Sequence, residues 1–336
     1  MAKRNTLAGY FIWLGLAVLL LWLSLRMLPP AAGQSRWAYL MHTWQQANKG
    51  WLWLMALLAM VSHLIRAERW RMMLAAAGRP VRFYHAFLSL MVGYLVNLVI
   101  PRGGEVSRCL NLYKLNRCEV SRSFAAVVAE RALDLLCFAG VVILAFAVES
   151  HRLAAFVQSL PLQLPALPGA GIWLVAALGV LVFSLIVFLA LKRFPVARKA
   201  LRNFFRGFAE GLRASLRVRQ PGLFVFYTVA IWVLYFFMSY SVLMAFEETR
   251  LLDYRAVLST FAIGSLAMVL PLPGGTGSYH TLVPAGLSFL YGIPLPHAVA
   301  FTFIFHAWQT VIMIAGGMLS LIATGWSHSR TKAESE

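Results

Sequence analysis

The sequence is short of charge, of acidic residues in particular, and of cysteine. Only 12% of its 336 residues are charged, and Asp and Glu together number 12 against 30 Lys and Arg. An ordinary soluble domain carries about 25% charged residues, so this composition argues against a water-soluble enzyme. Cys109, Cys118 and Cys137 are too few and too irregularly spaced for a disulfide framework or a zinc site, and we assign them no role.

Apolar residues are what the chain has in abundance. They make up 60% of the sequence, and the mean hydropathy is +0.73. A bilayer core of about 30 Å takes roughly 20 apolar residues per helix. Long uncharged runs therefore predict an all-α polytopic membrane protein. The six full spans are expected at about 7–28, 50–66, 123–148, 171–191, 222–246 and 297–323.

Two further apolar segments are interrupted and do not form complete spans in this interpretation. Residues 83–100 run into NLVIPRGGEVSR, and residues 256–270 run into PLPGGTGSY, where proline and glycine break the apolar pattern. We expect each segment to form a re-entrant hairpin, made of a broken helix that enters and leaves the membrane on the same side. The hairpins are predicted at 83–118, on the cytoplasmic side, and at 256–292, on the outer side.

The positions of Lys and Arg test this topology, because cytoplasmic loops carry an excess of both. With two re-entrant hairpins and the N-terminus inside, most basic residues fall on one side of the membrane, including Arg66 and Arg69 after the second span. A full span at 83–100 would scatter them over both sides. We therefore predict a bacterial-type cytoplasmic (inner) membrane protein with both termini cytoplasmic. These cytoplasmic segments account for the net charge of +18, so we expect no nucleic acid partner.

The broken segments also suggest an internal repeat. Gly93 matches Gly264 at an offset that also aligns the glycines of the two motifs. Residues 1–170 and 171–336 would each hold three spans and one hairpin, so the second half would be inverted. Inverted repeats with broken helices are the architecture of many secondary transporters. The basic stretch 192–220, with aromatic residues at helical spacing, is predicted to be an amphipathic linker on the inner membrane surface.

The first broken segment has the chemistry of an anion site. A half-helix that starts after Gly103 and Gly104 would point its N-terminal amides, with their partial positive charge, toward the membrane interior. Arg102 and Arg108 stand beside it, and the arginine fork binds phosphate oxygens in pairs. We predict a phosphate seat here. The alternative is a cytoplasmic loop whose arginines contact lipid headgroups.

The sequence ERALD places ionisable residues inside a predicted span. On a helix Glu130 and Asp134 share one face, and Arg131 reaches Asp134. Ionisable groups at that depth usually face a cavity or one another. The cluster is interpreted either as functional or as a structural network that pairs with Arg102 or Arg108, and the two interpretations are compatible.

The second hairpin offers weaker candidates. Its glycines permit close backbone approach or positive φ, and a membrane histidine such as His280 is either hydrogen-bonded packing or a proton carrier. The candidate substrate-binding residues are Arg102, Gly103, Gly104, Glu105, Arg108, Glu130, Arg131, Asp134, Gly274, Gly275, Gly277 and His280. The candidate proton-linked residues are Glu105, Glu130, Asp134 and His306. No catalytic residue, metal ligand or cofactor is assigned.

The motifs PRGGEVSR, AERALD and PLPGGTGSY, in this order, resemble the flippase-like transmembrane family of the lysylphosphatidylglycerol synthase membrane region. The resemblance in layout covers nearly the whole chain. It implies an integral inner-membrane protein that handles lipids or lipid-linked molecules, with relatives that move aminoacylated phosphatidylglycerol between leaflets. By position it assigns Pro101, Arg102, Gly104, Glu105 and Arg108 to the first motif, Glu130, Arg131 and Asp134 to the second, and Pro273, Gly274, Gly275 and Gly277 to the third.

Two departures from the family pattern bear on function. His280 stands near a place where the family often has an acidic residue, and the sequence stops at Glu336 without a soluble transferase domain. We therefore expect that this protein does not itself make lysyl-lipid.

Three functions follow from these observations. The expected one is a flippase that moves an anionic phospholipid or lipid-linked phosphate between leaflets, without ATP because the phosphate-loop motif is missing. The second is an intramembrane enzyme on lipid phosphates or lipid-linked sugars, with Glu130 and Asp134 holding Mg²⁺, although Arg131 would neutralise one carboxylate. The third is a non-transporting membrane partner of a separate synthase or glycosyltransferase.

Overall fold

The computed structural model describes residues 35–100, 102–160, 217–269 and 277–333, with Trp22 and short pieces between 202 and 213. Some of the predictions concern residues outside these ranges. They are the spans at 7–28 and 171–191, much of the linker 192–220, Pro101, and the stretch 270–276 with Pro273, Gly274 and Gly275.

Nine α-helices are described, and they confirm the predicted all-helical class. In chain order they are α1 (Arg36–Gln46), α2 (Lys49–Ala76), α3 (Phe83–Asn97), α4 (Gly103–Asn116), α5 (Val120–Ser159), α6 (Pro221–Ala245), α7 (Tyr254–Val269), α8 (Ser278–Tyr291) and α9 (Leu295–Ala333). Of the described helices, four are long and apolar enough to cross a membrane: Lys49–Ala76, Val120–Ser159, Pro221–Ala245 and Leu295–Trp326. Each contains or closely matches a predicted span.

Local chemistry defines several helix ends. The side chains of Ser35 and Asn48 each accept a hydrogen bond from a first-turn amide, of α1 and α2 respectively. Pro221 lies in the first turn of α6, where its missing N–H costs nothing. Gly292 ends α8 at φ 66°, a left-handed conformation that favours glycine. The helix α1 has no counterpart among the predicted spans, because it is short and mixes polar with apolar side chains.

One boundary prediction was wrong. The second span was expected to end near residue 66 and to be followed by a basic cytoplasmic loop, but α2 continues to Ala76. Arg66 and Arg69 therefore lie inside this helix, and both are buried. Arginine is a good helix former, and the charges find carboxylate partners on α5, so neither propensity nor burial ends the helix at this point.

Two pairs of short helices form antiparallel hairpins. In the first, α3 and α4 approach so closely that a Cβ on Gly104 would lie 2.2 Å from the Gly93 carbonyl oxygen. In the second, a Cβ on Gly264 of α7 would lie 2.9 Å from the ring of Tyr279 in α8. Small residues at these positions allow the backbones to pack at this distance.

Among the described residues, a hydrogen bond joins the two hairpins. Arg102, in the turn between α3 and α4, donates a hydrogen bond to the carbonyl oxygen of Val269 at the end of α7, at 3.2 Å. The opposite end of the first hairpin is closed by an ion pair between Arg79 and Glu119. The turn of the first hairpin therefore lies against the end of α7, and its open end points away.

Three long helices hold the hairpins in place. The helix α2 packs along α6, and α9 runs past both hairpins. A Cβ on Gly317 of α9 would lie 2.6 Å from the side chain of Leu95 in α3. Of the predicted amphipathic linker, Phe208 packs near Phe124 of α5, with ring centroids 6.4 Å apart, whereas Phe205 is exposed.

Candidate functional site

A cluster of six ionisable side chains lies where α2, α4 and α5 meet. It holds four arginines and two carboxylates, and its positive charges therefore outnumber its negative ones. Its members, called the ionic cluster below, are Arg66, Arg69, Arg108, Glu130, Arg131 and Asp134. The cluster is buried except at its edge, where the Arg131 side chain is 36% exposed.

Asp134 is held by two arginines of α2. Arg66 Nη2 donates to Asp134 Oδ2 at 2.8 Å, and Arg69 Nη2 donates to Asp134 Oδ1 at 2.7 Å. Each carboxylate oxygen thus has its own guanidinium, in the short geometry of charge-assisted hydrogen bonds. These bonds fix α5 to α2 and neutralise Asp134.

Glu130 is completely buried and links three helices. Arg108 Nη2, from α4, donates to Glu130 Oε2 at 2.9 Å, and Arg131 Nη2 donates to Oε1 at 3.1 Å. Arg66 and Arg69 lie slightly further from Oε1, at 3.6 and 3.5 Å. Glu130 therefore connects the first hairpin to α5. Of Arg102 and Arg108, the two arginines that the sequence offered as structural partners of this cluster, Arg108 is the one in contact with it.

Aromatic faces also contact the buried cations. The Arg108 guanidinium lies over the Trp70 ring, 4.8 Å from its centroid, and the Arg66 guanidinium lies 6.0 Å from the Tyr235 centroid. Such contacts are worth more when the cation is desolvated. They help to keep four arginines in place where only two carboxylates balance them.

A narrow recess adjoins the ionic cluster, with space for about one water molecule. In the described part of the chain, several buried polar atoms near it have no hydrogen-bond partner: the Tyr94 hydroxyl, Glu105 Oε2, and Nε and Nη1 of Arg108. The lining residues are Leu90, Gly93, Tyr94, Asn97, Gly104, Glu105, Arg108 and Arg131. Unpaired guanidinium nitrogens beside a recess are donors that an anion can use.

The first-turn amides of α4 are less free than the sequence suggested. Gly104 donates its amide to Asn97 Oδ1 at 2.7 Å, and Gly103 donates its amide to the Ile100 carbonyl at 3.0 Å. Two of the amides that were expected to face an anion therefore already have acceptors within the hairpin. The guanidinium groups are further donors of the predicted phosphate seat.

The structure places several other predicted residues outside the ionic cluster. Arg102 is exposed and contacts Val269, so it does not join the ionic cluster. Gly277, at φ 99°, begins the second arm of the second hairpin. His280 and His306 pack together, with ring centroids 4.7 Å apart, among aromatic neighbours of α8 and α9.

Arg66 and Arg69 are the site residues that sequence reasoning missed. They were counted as loop cations because they follow the apolar part of α2. A signal was present, since they lie at i, i+3 and would share one face of a continuing helix. Their partner Asp134 is distant in sequence, so the pairing itself could not be found from the pattern.

The carboxylates of the ionic cluster are poorly placed to hold a metal ion. Both oxygens of Glu130 and both of Asp134 accept hydrogen bonds from arginine. Across the described ranges, no group of three His, Cys, Asp or Glu side chains has metal-binding proximity. The cluster has the donors and the charge of an anion site instead.

These features define a multi-pass α-helical membrane protein with two helical hairpins and a buried, arginine-rich ionic cluster. The chain belongs to the family of the lysylphosphatidylglycerol synthase TM region, whose model matches residues 10–317.

Two curated relatives are similar over most of their length. A UPF0104 membrane protein of Methanothermobacter thermautotrophicus is 26% identical over 258 residues, which is 72% of this chain and 75% of the relative. Another UPF0104 membrane protein, from Methanocaldococcus jannaschii, is 24% identical over 280 residues, 76% of this chain and 79% of the relative. No solved structure matches the chain.

Proposed function

We propose that this protein is a lipid flippase that moves an anionic phospholipid or lipid-linked phosphate between the two leaflets of the membrane. The observation that carries the proposal is the excess of arginine in the ionic cluster, where four guanidiniums face Glu130 and Asp134. Two of these arginines, Arg108 and Arg131, line the recess together with one further carboxylate, Glu105. Ionisable residues inside a membrane protein commonly mark substrate or ion pathways. An anionic headgroup would supply the missing negative charge.

In the proposed architecture both hairpins are re-entrant. The helix α3 has 15 residues and α4 has 14, so each is about 22 Å long and shorter than a hydrocarbon core of about 30 Å. The ion pair between Arg79 and Glu119 supports this architecture, because it brings the start of α3 and the end of α4 to the same place.

The inverted repeat is part of the same proposal. Helix neighbours support it, since α3 of the first half packs on α9 of the second half, α7 of the second half packs on α5 of the first half, and α2 packs against α6 between the halves. Gly93 contacts Arg108, and Gly264 contacts Tyr279. Gly264 and Tyr279 are the residues that the sequence repeat aligns with Gly93 and Arg108, so the two contacts are equivalent in the two halves. A transporter built this way exposes its site alternately to each side.

In the proposed transport cycle, the ionic cluster would hold the first hairpin against α5. A recess that holds about one water molecule is too small for a lipid headgroup, so the structure corresponds to a closed state. We expect a headgroup phosphate to take the place of Glu130 as the partner of Arg108 when the hairpin moves away from α5. The acyl chains would remain in the bilayer throughout.

The test is leaflet exchange in reconstituted vesicles that contain the protein alone. Arg131→Gln is the informative variant, because Arg131 lines the recess but its side chain is partly exposed, so its loss is tolerated better than that of a fully buried arginine. We expect exchange of labelled phosphatidylglycerol to fall at least several-fold. Arg206→Gln is the matched control, since Arg206 forms an exposed ion pair with Glu210 and should leave exchange unchanged.

The headgroup comparison sharpens this test. Phosphatidylglycerol should exchange faster than zwitterionic phosphatidylcholine, since the excess positive charge favours a net anion. Exchange at the rate of protein-free vesicles for every lipid tested would overturn the proposal. Equal exchange by the wild type and Arg131→Gln would remove the ionic cluster from the transport path.

A further inference from the structure

A second buried carboxylate, Glu149, lies on α5 toward the end opposite to the ionic cluster. Its backbone angles, φ −134° and ψ 45°, depart from the helix and mark a kink. Its side chain is only 6% exposed. A kink in a long helix usually has an identifiable cause, such as an inserted side-chain contact, and here the carboxylate at the kink makes such contacts.

Glu149 joins α5 to both arms of the second hairpin. Ser259 Oγ, from α7, donates to Glu149 Oε2 at 2.7 Å, and the Tyr291 hydroxyl, from α8, donates to the same oxygen. The other oxygen accepts a hydrogen bond from Arg152 Nη1 at 3.3 Å, and the Arg152 side chain is 62% exposed. The buried end of this carboxylate is therefore held by neutral hydroxyls, with its one arginine partner largely in solvent.

An open recess of about 330 Å³ reaches Glu149. The titratable and charged groups around the carboxylate are His151 and Arg152 of α5, Asp253 and Arg255 at the start of α7, and Tyr291 of α8. Asp253 Oδ1 accepts the amides of Arg255 and Ala256, each at 3.1 Å, so Asp253 caps α7. Water can thus approach Glu149 from the side on which the second hairpin opens.

We propose that Glu149 is a proton-binding site that couples the second hairpin to this open recess. In its charged form the carboxylate accepts from Ser259 and Tyr291 and holds α7 and α8 against the kink of α5. When a proton from the recess binds to Glu149, the carboxylate loses its charge, its hold on both hydroxyls weakens, and the second hairpin is released. Proton binding at Glu149 would then bias the conformational cycle of the proposed flippase, and this last step rests on that function.

The contrast with the ionic cluster favours Glu149 as the proton site. Protonation of Glu130 would leave the buried Arg108 without its anionic partner, and protonation of Asp134 would leave the buried Arg66 and Arg69 with only their longer contacts to Glu130; both are strongly unfavourable. Protonation of Glu149 leaves only the exposed Arg152, which water can solvate. The coupling residue is therefore expected at a position that was not among the proton-linked candidates predicted from the sequence.

A proton suits the site better than a metal cation. Mg²⁺ and Ca²⁺ require six or more oxygen ligands, whereas Glu149 is surrounded by hydroxyls that donate to it and by the guanidiniums of Arg152 and Arg255. A proton needs no coordination shell and only exchanges one hydrogen-bond pattern for another.

The experiment uses the full chain in phosphatidylglycerol vesicles and follows the infrared band of protonated carboxylic acids as the pH is lowered. The wild type should gain a band from a buried acid that Glu149→Gln lacks and that Glu247→Gln, the control at an exposed glutamate, retains. Tyr291→Phe and Ser259→Ala each remove a donor to the charged form, so each should shift the midpoint of that band to higher pH. An unchanged spectrum in Glu149→Gln would overturn the proton site, whatever the transport result.

The coupling is tested in the same vesicles with a transmembrane pH gradient. Lipid exchange by the wild type should respond to the gradient, and exchange by Glu149→Gln should not. An identical response in both proteins would overturn the coupling. Failure of all variants to exchange lipid, with the infrared band still present and still lost in Glu149→Gln, would overturn the flippase function and support the proton site.

Discussion

At the scale of single residues, Glu130 is the position on which most of the ionic cluster depends. It is fully buried and touches arginines from α2, α4 and α5. A buried carboxylate of this kind is not evidence of net stabilisation, since desolvation opposes the attraction. Its removal is nonetheless costly, because the arginines remain.

We expect Glu130→Gln to lower the free energy of unfolding by about 3 kcal/mol or more, since it leaves Arg108 buried without its anionic partner. The double variant Arg108→Gln/Glu130→Gln should lose clearly less than the sum of the two single variants. Thermal unfolding in detergent, arranged as a double-mutant cycle, measures this coupling. Strict additivity would show that the two residues do not act as a pair.

Cys118 supplies a second prediction at this scale. It lies in the connection between α4 and α5 and is 3% exposed. Burial raises the pKa of its thiol to about 11, so little thiolate is present at neutral pH.

Maleimide labelling of Cys118 in the folded protein should therefore be slow at neutral pH and become fast after unfolding in SDS. Mass spectrometry of the labelled peptide distinguishes Cys118 from the other two cysteines. Rapid labelling in the native state would contradict the burial of this connection. A rate that rises steeply with alkaline pH agrees with the raised pKa.

At the scale of helices, the first hairpin depends on glycine at the contact between α3 and α4. Gly104 has no room for a Cβ, since that atom would lie 2.2 Å from the Gly93 carbonyl oxygen and 2.5 Å from the Asn97 side chain. The backbone of α3 cannot yield cheaply, because Gly93 lies in its interior. The glycine in the motif is therefore required by packing, in addition to any part in binding.

Gly104→Ala should destabilise the protein by about 1–3 kcal/mol, the usual range for overpacking, and should separate α3 from α4. Gly140→Ala is the matched control, because a Cβ there meets nothing within 4 Å and alanine is the better helix former. Comparison of the melting temperatures of the two variants tests this prediction. Equal stability of the two variants would mean that the hairpin adapts more easily than its geometry suggests.

At the scale of the whole molecule, the proposed topology predicts the side of the membrane on which each hairpin opens. If both hairpins are re-entrant, cysteines placed at Arg82 and Lys114 should be labelled from the cytoplasmic side, and cysteines at Leu251 and Leu295 from the outer side. All four positions are exposed. A membrane-impermeant maleimide on a background without native cysteines provides the measurement. Labelling of Arg82→Cys and Lys114→Cys from opposite sides would show that the first hairpin crosses the membrane.

Much of the fold was accessible from the sequence because its signals are local. Uncharged runs predicted the helices that now appear as α2, α5, α6 and α9. Glycine and proline predicted the interruption before α4, which begins at Gly103. The boundary of α2 was placed wrongly because hydropathy falls at Arg66, while the helix continues as long as its backbone bonds and buried charges are satisfied.

The candidate site was only partly accessible in the same way. The spacing of Glu130, Arg131 and Asp134 places them together on one helix, and the structure agrees. The assignment of Arg102 to the site rested on its neighbourhood in sequence, whereas its side chain turns toward Val269. Where the backbone leaves the helix, position in the sequence does not determine the direction of a side chain. Arg102 is such a residue, since its φ is 62°.

The sequence by itself determined that this chain is an α-helical membrane protein with broken apolar segments and a cluster of acids and arginines. These properties depend on composition and on residues within one or two helical turns. Only the tertiary structure decided that Arg66 and Arg69 pair with Asp134, and that Glu149 holds the second hairpin. Those contacts join residues far apart in the chain, and their free energy depends on distances and burial that arise only when the helices pack.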